Sequence, residues 1–252
     1  LGEISPTYAK NQLQAVSQFT RFCYEEERIE LPRILGSKDF EIRAPEKKIE
    51  TFSTKEIHRL LEASPETTRL YLLLMLNAGM TQQDVADLRH DEIDWKAGTI
   101  TRKRSKTAAH KSVPTVTYPL WPETFDLLKK HRSVHPDLVL TNRNGGPLKN
   151  ESIRPDGKVQ KQDNIRSSYA RVVRKLAETD QDPIRITLSL KHLRKTAASI
   201  LASHETYARF AQHFLGHAPT TVADRHYVVP SEEQFAQAVN WLGDRLLQRS
   251  EP

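Results

Sequence analysis

The side chains of this 252-residue chain best suited to chemistry lie in its last third and in one basic segment upstream. Lys191-His192-Leu193-Arg194 sets a lysine and an arginine three residues apart, which is one face of a helix. Leu215-Gly216-His217 follows, and then Tyr227 within Arg225-His226-Tyr227-Val228. Upstream, Ser105-Lys106-Thr107 offers a second lysine. A phenol, an arginine, a histidine and two lysines are the parts for transesterification at a phosphodiester. The tyrosine oxygen attacks phosphorus, Arg194 and His217 donate to the non-bridging oxygens as charge builds there, and a lysine protonates the departing 5′ oxygen. Such a step calls for no metal and no cofactor. The sequence has no phosphate-cradling glycine loop, Cys/His cluster or carboxylate cluster.

Each of these residues also has a plain structural use. Tyr227 could pack on an amphipathic helix, Arg194 could form a surface ion pair, and His217 after a glycine could cap a helix C-terminus. The pair His213 and His217 has metal-ligand spacing, but a zinc-protease pattern needs glutamate after the first histidine and Phe214 stands there. His131 and His135 share that spacing, yet Pro136 follows at once and no third ligand is evident. No metal site is expected.

Charge points the same way. Lys and Arg number 38 against 32 Asp and Glu, a net of +6. The segment from Lys96 to Tyr118 holds six of the basic residues, Lys96, Arg102, Lys103, Arg104, Lys106 and Lys111, and no acid. A second excess runs through 143–175, and a third comprises Arg185, Lys191, Arg194 and Lys195. Clustered positive charge on an otherwise balanced chain is the footprint of a polyanion-binding protein. Arg102, Lys103, Arg104 and Lys111 are therefore expected to contact DNA phosphates, which positions a protein without reading sequence. The longest apolar run, Leu70–Leu76, is far short of the roughly 20 residues a membrane helix needs. Cys23 is the only cysteine, so no internal disulfide forms. The sequence opens Leu1-Gly2 with no signal-peptide pattern, and the native N-terminus is expected upstream. A cytoplasmic, nucleoid-associated protein is the expectation.

These residues need a scaffold, and the periodicities supply a mainly α fold with a small antiparallel β-sheet, an α+β class. Leu13, Val16, Phe19, Phe22 and Cys23 mark a helix over about 7–27, and a weakly patterned linker covers 32–50. Ser53-Thr54-Lys55-Glu56 is a capping box, Pro65 opens a second helix that stops near Gly79, and Thr81-Gln82-Gln83-Asp84 caps a third. A hairpin is expected from Thr99–Arg104 and Val113–Tyr118, with a basic tip between. Pro122 starts a helix, 141–161 reads as a loop, and a stripe at Ile165, Tyr169, Val172, Val173 and Leu176 reads as another helix. Helices over Ser189–Ser203, Glu205–Leu215 and about Thr220–Val228 follow, and Ser231 caps a last one bearing Phe235, Val239, Leu242 and Leu246.

In this order, Leu76-Asn77-Ala78-Gly79-Met80 leading to Asp84-Val85-Ala86-Asp87-Leu88, the hairpin around Lys106, Lys191-His192-Leu193-Arg194, Leu215-Gly216-His217 and Tyr227 resemble the phage integrase family, the tyrosine recombinases. The resemblance covers roughly 51–230. It implies an integrase-like catalytic domain over 51–252 that closes on duplex DNA together with an N-terminal helical core-binding region. Residues 1–31 would be the last helix of that region. It implies Tyr227 as nucleophile, with Arg194, Lys191, His217 and Lys106 as its catalytic partners. Self-assembly on DNA by exchange of a C-terminal segment such as 231–249 is also implied. The family places its first catalytic arginine where this chain has Thr81, which cannot reach or charge a phosphate as a guanidinium does. The His217–Tyr227 gap is about one residue longer than the family's, which would turn Tyr227 by roughly 100° on a helix. Three functions fit: site-specific recombination or integration of a mobile element through a phosphotyrosine, a catalytically impaired DNA-binding accessory or regulatory module on the same fold, and topoisomerase-like nicking and resealing. Thr81 is the residue that separates the first two, unless Arg89 or Arg104 supplies the missing charge.

Overall fold

The computed structural model describes residues 4–37, 42, 48–107, 109, 112–179, 185–218 and 231–248. The chain divides into two compact units, Leu1–Ile49 and Glu50–Pro252. The first unit is built on α1 (Pro6–Glu25). Ser5 caps it by accepting from the Tyr8 amide, Pro6 fits the first turn, and Glu27 ends it in the left-handed region at φ 56°. No residue of α1 is buried, and Phe19 and Phe22 stay more than half exposed.

The second unit is organised around α3 (Glu66–Asn77), whose run from Leu70 to Leu76 is buried on every side. A helix apolar all round belongs in a core, and α2 (Thr54–Ala63), α4 (Gln82–Ala86), α5 (Pro122–Lys130), α6 (Asn164–Thr179) and α7 (Lys191–Ala202) pack on it. The expected capping box closes α2: the Ser53 amide donates to Glu56 Oε2 at 2.7 Å, and Ser53 Oγ accepts from the Glu56 amide. Strands β1 (Ile93–Asp94), β2 (Thr99–Arg102) and β3 (Val116–Pro119) form an antiparallel sheet in that order. Its register sets Ile100 opposite Tyr118 and Arg102 opposite Val116. Ile100, Arg102, Val116 and Tyr118 all face inward.

The last described helix, α9 (Glu232–Leu247), closes the core with Phe235, Ala238, Val239, Leu242 and Leu246, none more than 1% exposed. Trp121 Nε1 donates to the Val239 carbonyl at 2.8 Å, and its amide donates to Asn77 Oδ1 at 2.7 Å. One tryptophan thereby ties α9 to the end of α3.

Two expectations need correction. The expected loop at 141–161 contains a second two-stranded sheet, β4 (Lys149–Ile153) with β5 (Val159–Asp163). Its side chains are almost all exposed, so no alternating pattern announces it, and the backbone ladder with the Lys161–Glu151 ion pair carries it. The helix expected over Glu205–Leu215 is a 3-10 turn, Ala208–Phe210, followed by the single-turn α8 (Ala211–Phe214). The expected helix over 220–228, with Tyr227, lies outside the described residues.

Candidate active site

Arg194 leaves the half-buried face of α7 and holds two turns together. One terminal nitrogen donates to the Gly79 carbonyl, at the end of α3, and the other donates to the Leu215 carbonyl at 2.5 Å. Both turns depend on glycine. Gly79 has φ 56°, and a β-carbon there would sit 2.9 Å from the Phe214 ring and 3.0 Å from the Phe214 carbonyl oxygen. Gly216 also has φ 56°, terminates α8, and lets the His217 amide donate back to the Gln212 carbonyl at 3.1 Å. Tyr118, buried on β3, donates its hydroxyl to the Phe214 carbonyl at 3.0 Å and fixes the same turn from below.

His217 Nδ1 lies 2.8 Å from Gln212 Oε1. An amide oxygen only accepts, so Nδ1 carries the proton and Nε2 keeps its lone pair. Burial, then the charges of Arg194 and Arg104, hold the imidazole pKa below its ordinary value. Burial and Arg104 likewise lower that of Arg194. Arg104, Arg194 and His217 therefore share one electropositive locality, drawn from a loop after β2, from α7 and from the turn after α8.

The loop carrying Arg104 and Lys106 is anchored by Asp84. Its Oδ2 accepts from the Thr81 amide at 2.8 Å and the Thr81 hydroxyl at 2.6 Å, completing the capping box of α4. Its Oδ1 accepts from the Ser105 amide at 2.9 Å and the Ser105 hydroxyl at 2.8 Å. Burial pushes this carboxyl up, but the hydrogen bonds from Thr81 and Ser105 outweigh it and leave the pKa below the usual carboxylate value. Thr81 is thus spent on a helix cap and presents no charge.

Arg102 corrects the expectation of a phosphate contact. Its side chain is 6% exposed, donates to the Asp84 carbonyl, to Asp87 Oδ1 at 3.0 Å and to Ser105 Oγ at 2.7 Å, and lies 3.6 Å from Glu92. A guanidinium committed to the interior has nothing left for DNA. Lys103 and Arg104 are half-buried, while Lys106 and Lys191 are exposed. Lys191 opens α7 beside a groove of about 1030 Å³ that Arg166, Arg174 and Arg185 also line. Tyr227 and Lys111 lie outside the described residues. Among those residues, no group of three or more His, Cys, Asp or Glu side chains could hold a metal, and no helix is long and apolar enough to cross a membrane. Gln212, Tyr118 and the grip of Asp84 on Ser105 are the site-building features not picked out from sequence.

The model of the family described as "Phage integrase family" matches residues 50–234, most of the second unit. The chain belongs to the phage integrase family. Membership places its function in site-specific DNA recombination, the class of the tyrosine recombinases. Solved integrases share the fold. The Tn1549 transposon integrase in complex with a circular intermediate DNA superposes with a TM-score of 0.65 at 11% identity, covering 94% of this chain and 80% of that one. A lambda integrase dimer bound to a COC' core site gives 0.59 at 19%, covering 90% and 76%. The integrase from mycobacterium phage Brujita gives 0.55 at 16%, covering 98% and 78%. No curated protein matches the sequence.

Proposed function

We propose that this phage integrase family chain binds duplex DNA and breaks and rejoins one strand through a covalent phosphotyrosine at Tyr227. The observation that carries this reading is the convergence of Arg194, Arg104 and His217 at the turns 79–81 and 215–217. Arg194 grips a non-bridging oxygen with the N–H groups its two carbonyl bonds leave free. His217 donates to the phosphate once it takes up a proton, and Lys106 protonates the 5′ oxygen that leaves. Lys191, one turn before Arg194, joins these catalytic groups, and Lys103, Lys111 and the basic groove hold the flanking backbone. Residues 1–31 end an N-terminal core-binding region that completes the grip on DNA, and a nucleoid-associated location follows from that partner. The neighbouring integrases are described as a dimer and as complexes with DNA. For this chain, assembly on DNA would place the 231–248 helix of one copy in the socket that α9 fills on its own domain.

A second reading, a DNA-binding accessory module without cleavage, is favoured by one observation: the position of the family's first arginine is a neutral helix cap. A duplex nicked beside the scissile phosphate, so that the 5′ product diffuses away, separates the two. The recombinase reading expects a denaturant-resistant adduct that Tyr227→Phe abolishes. Binding without adduct would establish the module.

A further inference from the structure

We propose that Arg104 is the second guanidinium on the scissile phosphate, acting in place of the side chain that Thr81 does not provide; this rests on the cleavage reading above. Three arginines lie near enough in sequence to fill the gap, and their surroundings differ sharply. Arg89 is half exposed and paired with Asp91 at 3.3 Å and Asp137 at 2.9 Å, on the outside of the unit. Arg102 is buried among Asp84, Asp87 and Glu92. Arg104 pairs with no carboxylate among the described residues.

Its placement is specific. The Arg104 β-carbon lies 3.7 Å from where a β-carbon on Gly216 would be, so its stem rests on the Leu215-Gly216-His217 turn. Its Nε is fully buried and has no hydrogen-bond partner among the described residues. A buried N–H without an acceptor is destabilising. Here it also stands beside a second, like-charged guanidinium: Arg104 perturbs both Arg194 and His217 through its charge. Asp84, committed to its hydrogen bonds with Thr81 and Ser105, offsets Arg194 only in part, so two guanidiniums and an imidazole gathered here are unfavourable in the free protein and become favourable when a phosphate enters between them. A planar donor fork suits a phosphate's oxygens, whereas the Thr81 hydroxyl is turned into its own helix cap. The loop is held in place from behind, through Ser105 on Asp84. In the reaction the Tyr227 oxygen forms a bond to phosphorus and the 5′ oxygen leaves with a proton from Lys106. Arg104 forms and breaks no bond; it neutralises a non-bridging oxygen throughout.

The experiment compares wild type, Arg104→Ala, Arg104→Lys and Arg89→Gln on the nicked duplex, with either a phosphodiester or an uncharged methylphosphonate at the scissile position. Adduct rates are read beside duplex affinity and thermal unfolding. The expected result is a loss of about 10³-fold or more for Arg104→Ala on the phosphodiester, with little change in duplex affinity. The loss should shrink to within about tenfold on the methylphosphonate, where the charge Arg104 would neutralise is gone. Arg89→Gln should cleave as wild type. Thr81→Arg should restore cleavage to Arg104→Ala while adding little to the wild type. If Arg104→Ala cleaves the phosphodiester as fast as wild type, the inference fails and the recombinase reading stands. Equal loss on both substrates would also overturn it. If Arg104→Ala unfolds, Arg104→Lys keeps the stem and the charge, and wild-type cleavage by it would overturn a guanidinium-specific role. No adduct from the wild type on either substrate overturns both the inference and the cleavage reading.

Discussion

Asp84 and Arg102 decide how the basic loop is held. Removing one partner of a buried ionic network leaves the other charges uncompensated, which destabilises a protein by about 3–5 kcal/mol. Arg102→Ala is therefore expected to lower the urea midpoint strongly, while Lys103→Ala, at a half-buried position outside that network, should change it little. Duplex affinity measured under folding conditions should fall for Lys103→Ala, with a shallower salt dependence. The Asp84 carboxyl is ionised more readily folded than unfolded, so its stabilisation is present above the ordinary value of 3.8 and lost as pH falls through the lower folded value. Asp84→Asn should be less stable at neutral pH, and the difference should close in acid; a constant difference down to pH 2 would contradict it. His217 behaves differently toward DNA. Its pKa is depressed in the free protein and a phosphate would raise it, so binding takes up a proton. Affinity should rise as pH drops from 8 towards 6, by up to roughly tenfold per unit, and His217→Gln should remove that slope.

At the scale of elements, the turns do the positioning. Gly79→Ala should destabilise the unit by about 1–3 kcal/mol from backbone strain alone. It also drives a methyl into Phe214 and its carbonyl, so adduct formation should fall more than duplex affinity. The same scale shows what could be read in advance. The helices with strong caps and stripes, α2 at Ser53–Glu56 and α9 at Ser231, were legible because local chemistry dictates them. So was the inward face of β2, since period-two alternation puts Arg102 on the side of Ile100; counting charges hid that signal. Hairpin β4–β5 was missed because its strands are polar throughout, though Arg154-Pro155-Asp156-Gly157-Lys158 is a turn signature, with Gly157 at φ 77°. What local pattern could not reveal is which distant partner a side chain meets. Asp84 announced itself as a cap, and nothing in the sequence disclosed that its second oxygen receives Ser105.

For the molecule as a whole, Arg194 bonds to a carbonyl 115 residues earlier and to one 21 residues later. Two clasps so far apart along the chain make the proposed phosphate site a late product of biosynthesis. A nascent polypeptide extended only to Ala202 already owns Arg104, Lys106 and Arg194, but it has no Leu215 carbonyl to seat the guanidinium and no His217. Ribosome-bound intermediates of that length would be attracted to nucleic acid through their charge before the proposed cleavage site exists.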